Sequence, residues 1–177
     1  MQNLYWALIG GTDWQNNDIV CFMNTDLEFD KDFFTIVEHN IEQGEILIPK
    51  VYEDGKLVDG GISINWAKKS FKPGYRIDCF SPRGICMTVK DFRESGGFRW
   101  RLLPHYGSDY DWSIRQLKRG LTAKRLPGFN IYHRKHSRPT AGRFSKLNPA
   151  NPWYWTIFII LHCPKKYWLI NILKAWL

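Results

Sequence analysis

Three groups of side chains in this sequence have types and spacing that could do chemistry. Asn24-Thr25-Asp26 closes the apolar run Ile19-Val20-Cys21-Phe22-Met23. A carboxylate at the carboxyl end of a buried strand sits where open α/β sheets bind ligands. Asn24 lies two residues earlier and points to the same side of an extended chain. Such an oxygen pair suits Mg²⁺ or Mn²⁺, which bridge diphosphates. Taken alone, Asp26 reads more simply as a turn residue capping Leu27-Glu28-Phe29-Asp30. The second group is Asp109-Tyr110-Asp111-Trp112-Ser113-Ile114-Arg115, which opens a helical pattern. Two carboxylates two apart on a helix do not share a face, so they have different tasks. One can serve as a base toward an acceptor hydroxyl. Helix capping and the helix dipole account for the other. The third group is His133, beside Arg134, Lys135, His136 and Arg138. Imidazole is a common metal ligand, and the flanking cations could hold a diphosphate. An exposed basic loop accounts for them equally well.

The elements that must position these residues are legible in outline. Asp18–Met23 is a continuous apolar run, the pattern of a fully buried strand. Residues 30–43 read as a helix with Asp30 as N-cap, Phe33, Phe34, Val37 and Ile41 as its stripe and Gly44 as its stop. Glu45–Lys50 is another buried strand. Strand, helix, strand implies a right-handed crossover and a parallel pair. Glu53-Asp54-Gly55-Lys56 and Pro73-Gly74 are turns, with an edge strand over Gly60–Ile64. Arg83–Val89 reads as a core strand. Val89–Ser95 reads as a short helix closed by Gly96-Gly97, and residues 109–119 as a helix stopped by Gly120. Leu121–Arg125 is a further strand, and residues 3–12 a short helix. No internal repeat is present.

Bulk properties bound the rest. A chain of 177 residues with 44% apolar content holds one domain or most of one. Residues 1–60 carry 12 of the 17 acidic residues and 3 of the 25 basic ones, and no Asp or Glu follows Asp111. The split suggests an acidic metal-binding half and a basic half facing phosphates or an anionic membrane. The basic residues are scattered and show no nucleic-acid-binding spacing, which argues against nucleic acid as a partner. Cys21, Cys79, Cys86 and Cys163 have no metal-type spacing and read as buried free thiols in a reducing compartment. No signal peptide is visible, since Met1 leads directly into Gln2-Asn3-Leu4-Tyr5-Trp6. Residues 153–161 and 167–177 are apolar and aromatic, too short to span a bilayer. With their lysines they fit helices lying in a membrane interface; packing on the core or on a partner chain is the alternative.

The order of the segments resembles the family 2 glycosyltransferases. Asp18–Asp26 is similar to the strand ending in that family's D-x-D-type metal motif, with Asn in its first position. Gly84–Phe98 is similar to its acceptor-side strand and the helix ending in Gly-Gly-Phe. Ser108–Gly120 resembles its E-D-x-D-x-x-x-R segment, and Ile131-Tyr132-His133 its late histidine. Asn3-Leu4-Tyr5-Trp6-Ala7 fits the stretch before the metal strand.

The resemblance implies a GT-A-like (Rossmann-like) α/β fold, with a mixed, mostly parallel sheet flanked by helices. It covers residues 1–140, with an apolar segment over 141–177. It implies metal-dependent, inverting transfer of a sugar from a nucleotide-sugar donor to a saccharide or lipid-linked acceptor. Asp109 would be the base. Asp26, with Asn24 and His133, would hold Mn²⁺ or Mg²⁺ on the diphosphate. Asp111, Trp112, Arg115 and Arg134 would line the donor and acceptor sites. The expected location is the cytoplasm, peripheral at the inner membrane face. Two departures stand out. Ser108-Asp109 replaces the usual Glu-Asp pair. The strand-helix-strand unit that grips the nucleotide base, about 80 residues by usual domain size, is expected to be missing. That absence motivates a second reading: a non-catalytic remnant or accessory subunit that binds a saccharide or a partner, or that needs an amino-terminal partner chain.

Overall fold

The computed structural model describes residues 13–23, 26–104, 107–133, 142–145, 148 and 150–177. The expected helix over residues 3–12 lies outside them, as do Asn24 and Arg134. Strand β1 (Ile19–Cys21) and strand β3 (Glu45–Leu47) run in one sheet with β8 (Cys86–Thr88) and β9 (Thr122–Lys124), in the order β1-β8-β3-β9. A second sheet has the order β2-β10-β4-β5, formed by β2 (Leu27–Phe29), β10 (Asn130–His133), β4 (Lys50–Glu53) and β5 (Lys56–Asp59). Strands β6 (Ile62–Asn65) and β7 (Ser70–Pro73) form a separate hairpin.

The expected β1–β3 parallel pair is corrected. The two strands do run in the same direction, but β8 lies between them, antiparallel to both. All three β8 residues are buried, and a strand buried on both faces belongs inside the sheet rather than at its edge. Antiparallel pairs outnumber parallel ones among the described residues, so the mostly parallel sheet is corrected too. The parallel pairs are β3–β9 and β10–β4. Local hairpins account for part of this. Asp54 and Gly55 both adopt positive φ, 50° and 71°, as a tight turn between β4 and β5 requires.

Helices cover both faces of the first sheet. Alternate strand residues point to opposite faces. Val20, Ile46 and Met87 therefore meet one core cluster, with Phe92 of α2 (Val89–Glu94) and Trp112 of α3 (Ser108–Lys118). Leu47 and Cys86 meet another, with Phe33 and Val37 of α1 (Phe33–Asn40). That helix starts later than its sequence pattern suggests. Asp32 stands at its cap without a side-chain capping bond, while the Asp30 carbonyl accepts from Phe33 N–H. Helix α2 is capped as its sequence demands: the Thr88 hydroxyl accepts from Asp91 N–H. Asp91 also accepts from Gly44 N–H at 2.8 Å, tying the helix to the turn before β3.

The segment beyond residue 150 folds onto this body. Tyr154 and Phe158 of α4 (Pro152–His162) share a cluster with Leu103, Ile114 and the β6–β7 hairpin. Helix α5 (Trp168–Trp176) then packs on α4. No described helix is long and apolar enough to cross a membrane.

Candidate functional site

Two carboxylate centres form around the sequence-predicted residues. The first joins Asp26 to His133, 107 positions apart in the chain, with His133 Nε2 3.0 Å from an Asp26 carboxylate oxygen. Register produces this contact. Strands β2 and β10 are antiparallel with Leu27 opposite His133, so the residue before Leu27 meets the residue that ends β10. Asp26 therefore leads into β2 rather than ending β1, a strand its sequence did not announce. On the other side, β10 runs parallel to β4 with Tyr132 opposite Tyr52. That brings Glu53 alongside, its carboxylate 3.6 Å from His133 Nδ1. Glu53 was missed in the sequence, where it reads only as part of a turn.

The imidazole thus lies between two carboxylates, all three groups partly shielded from water. A carboxylate on the far nitrogen of a histidine fixes its ring orientation and raises its basicity as a ligand. Among the described residues no three His, Cys, Asp or Glu side chains form a ready-made metal cage. Mg²⁺-type sites commonly take one or two protein ligands, with substrate phosphates completing the shell. Asp26 offers one such carboxylate, already in contact with the His133 nitrogen.

The second centre is Asp109, in the first turn of α3. Gly107 precedes the helix with φ 82°, a left-handed conformation that suits glycine. The Asp109 carboxylate accepts from Tyr110 N–H at 2.9 Å. Burial pushes its pKa up. The Tyr110 and Asp109 backbone N–H groups oppose that rise, the Asp59 charge adds to it, and the Arg83 charge reduces it. A carboxylate raised in this way is a better proton acceptor near neutral pH.

Asp59, itself buried, is fully occupied. One oxygen accepts from Gly60 and Gly61 N–H, the other from Ser81 N–H and the Ser81 hydroxyl. The segment Ser81–Gly84 is tied to Asp59 at one end and to the chain after β1 at the other. Ser81 bonds Asp59, Arg83 acts on Asp109, and Gly84 N–H donates to the Phe22 carbonyl at 2.7 Å. The Phe22 ring lies 5.8 Å from Trp112, joining the chain just after β1 to α3.

The remaining predicted residues of α3 turn inward. Asp111 is fully buried and bonds Arg115 at 3.0 Å and His162 at 2.9 Å, with Arg99 at 3.5 Å. Burial alone would raise its pKa. The His162 hydrogen bond and the Arg115 and Arg99 charges outweigh that and hold it below the usual carboxylate range. Trp112 is wholly buried, stacked on Phe98 at 5.2 Å, and offers no face to a ligand. Arg115 spends its guanidinium on Asp111 and on the Gly97 and Ser95 carbonyls, fastening α3 to the loop after α2. Compared with known proteins, the sequence matches no family model and no curated protein.

Proposed function

We propose that this chain is a glycosyltransferase domain of the family 2 type. It would move a sugar from a nucleotide-sugar donor to a saccharide or lipid-linked acceptor on the cytoplasmic side of a membrane. The observation that carries the reading is the meeting of Asp26 and His133. Two residues from separate motifs, remote in sequence, come within 3.0 Å. Asp26 and His133 would hold Mn²⁺ or Mg²⁺, and Glu53 would orient the imidazole. A divalent cation bound there supplies countercharge for a leaving diphosphate. Asp109 is the base: its desolvated carboxylate takes the proton from the acceptor hydroxyl as that oxygen attacks the anomeric carbon. The Tyr110 N–H holds the carboxylate in place.

The test is nucleotide release from UDP-, GDP- and dTDP-sugars with a panel of saccharide acceptors. Asp109→Asn should lower turnover by about 10²–10⁴-fold while donor binding stays. Full turnover in Asp109→Asn would refute the base assignment. The inward packing of Asp111, Trp112 and Arg115 favours a second reading, an accessory subunit that keeps the fold and binds a saccharide. Turnover by the chain alone would exclude it.

A further inference from the structure

Helix α5 has two apolar faces, and among the described residues only one is packed. Its inward face is pinned by a polar anchor. Asn171 is fully buried, and its amide donates to the Trp66 carbonyl at 2.8 Å and to the Tyr167 carbonyl at 2.9 Å. Trp168 Nε1 donates to the Cys163 carbonyl at 2.7 Å, and Ala175 packs beneath. These bonds fix the rotation of the helix, because rolling it would leave the buried Asn171 amide unsatisfied. The opposite face therefore stays outward. It consists of Leu169, Ile170 and Leu173, which are 74%, 46% and 52% exposed, with Trp176 at its edge.

The charges around this face have one sign. Lys165 and Lys166 are exposed in the 3₁₀ turn that leads into α5, and Lys174 is exposed on the helix itself. No carboxylate side chain follows Asp111 anywhere in the sequence. A second copy of this chain packed face to face would oppose these lysines with lysines, a like-charge juxtaposition that interfaces avoid. A short helix with an apolar face, a lysine rim and an aromatic edge matches an anionic bilayer surface. Its apolar side enters the acyl boundary while lysines reach back to the headgroups.

We infer that the outward face of α5 docks this protein on anionic lipid. The helix lies in the plane of the interface, with Leu169, Ile170 and Leu173 inserted and Lys165, Lys166 and Lys174 at the headgroups. This docking is independent of the chemistry at Asp26 and Asp109.

The full chain is floated with phosphatidylcholine vesicles, with and without about 30% phosphatidylserine, at low and high salt. It should float with the anionic vesicles, much less with the neutral ones, and less at high salt. Leu169→Asp with Leu173→Asp should abolish flotation. These positions are exposed, so the fold should persist by circular dichroism. Lys165→Glu with Lys166→Glu, which leaves the apolar face intact, should weaken flotation by about tenfold or more. Failure to float with either vesicle overturns the inference. So does equal flotation with both, or a dimer in light scattering that Leu173→Asp dissociates.

Discussion

At the residue scale, Asp109 and Asp111 stand two apart and have opposite environments. Burial raises the carboxyl of Asp109, while hydrogen bonding and cations lower that of Asp111. The signs give different pH signatures. Charged Asp109 costs stability, and the cost appears as pH rises above its ordinary value of 3.8. Asp109→Asn should therefore raise the melting temperature at neutral pH, with the gain vanishing at and below pH 3.8. A thermal melt series across pH checks this. Asp111 works the other way. Its contribution is present above pH 3.8 and is lost as pH falls through its lowered value. Asp111→Ala strands the Arg115 and His162 side chains, and should cost about 3–5 kcal/mol in denaturant unfolding at neutral pH. From their spacing alone, the two residues could be separated into different tasks; the assignment of Asp109 as base came from the resemblance. Only the partners Arg99 and His162, both remote in the chain, show which is structural.

At the element scale, register makes the Asp26 centre. Residue types alone nominated Asp26 and His133, because each sits at the end of an apolar run. Glu53 stayed hidden because Val51-Tyr52-Glu53-Asp54-Gly55 carries only a hairpin signal; its place beside His133 follows from the β4–β10 pairing. Strand β2 was hidden for a similar reason, since it is three residues long with only Leu27 buried. Helices α2 and α3 were more legible, because Gly96-Gly97 and Gly120 mark their ends with chemistry that acts locally. The segment Ser81–Gly84 depends on its glycine. It has φ +69°, and an added Cβ would lie 2.9 Å from the Ile131 side chain and 3.0 Å from Pro49. Gly84→Ala should destabilise the fold by about 1–3 kcal/mol. Adding Ile131→Val, which removes the nearest methyl, should recover part of that loss in the same unfolding assay.

At the scale of the whole molecule, mixed α/β architecture was readable from apolar runs alternating with helical stripes. Strand order was not. Periodicity identifies β1, β3 and β8 as buried but carries no information on which lies between the others. The antiparallel insertion of β8 has a structural consequence. It places Gly84, which precedes β8, beside the residue that follows β1, where its N–H donates to the Phe22 carbonyl. The apolar segment over 141–177 likewise has a split role: α4 completes the core over β6–β7, and α5 keeps a free face. Calorimetric titration of UDP-, GDP- and dTDP-sugars into the wild-type chain and Asp26→Ala, each with and without Mn²⁺, tests the central claim most directly. The account predicts that one donor binds only with Mn²⁺ and that Asp26→Ala abolishes this binding. Binding that ignores both Mn²⁺ and Asp26→Ala, or no binding of any donor, would contradict it.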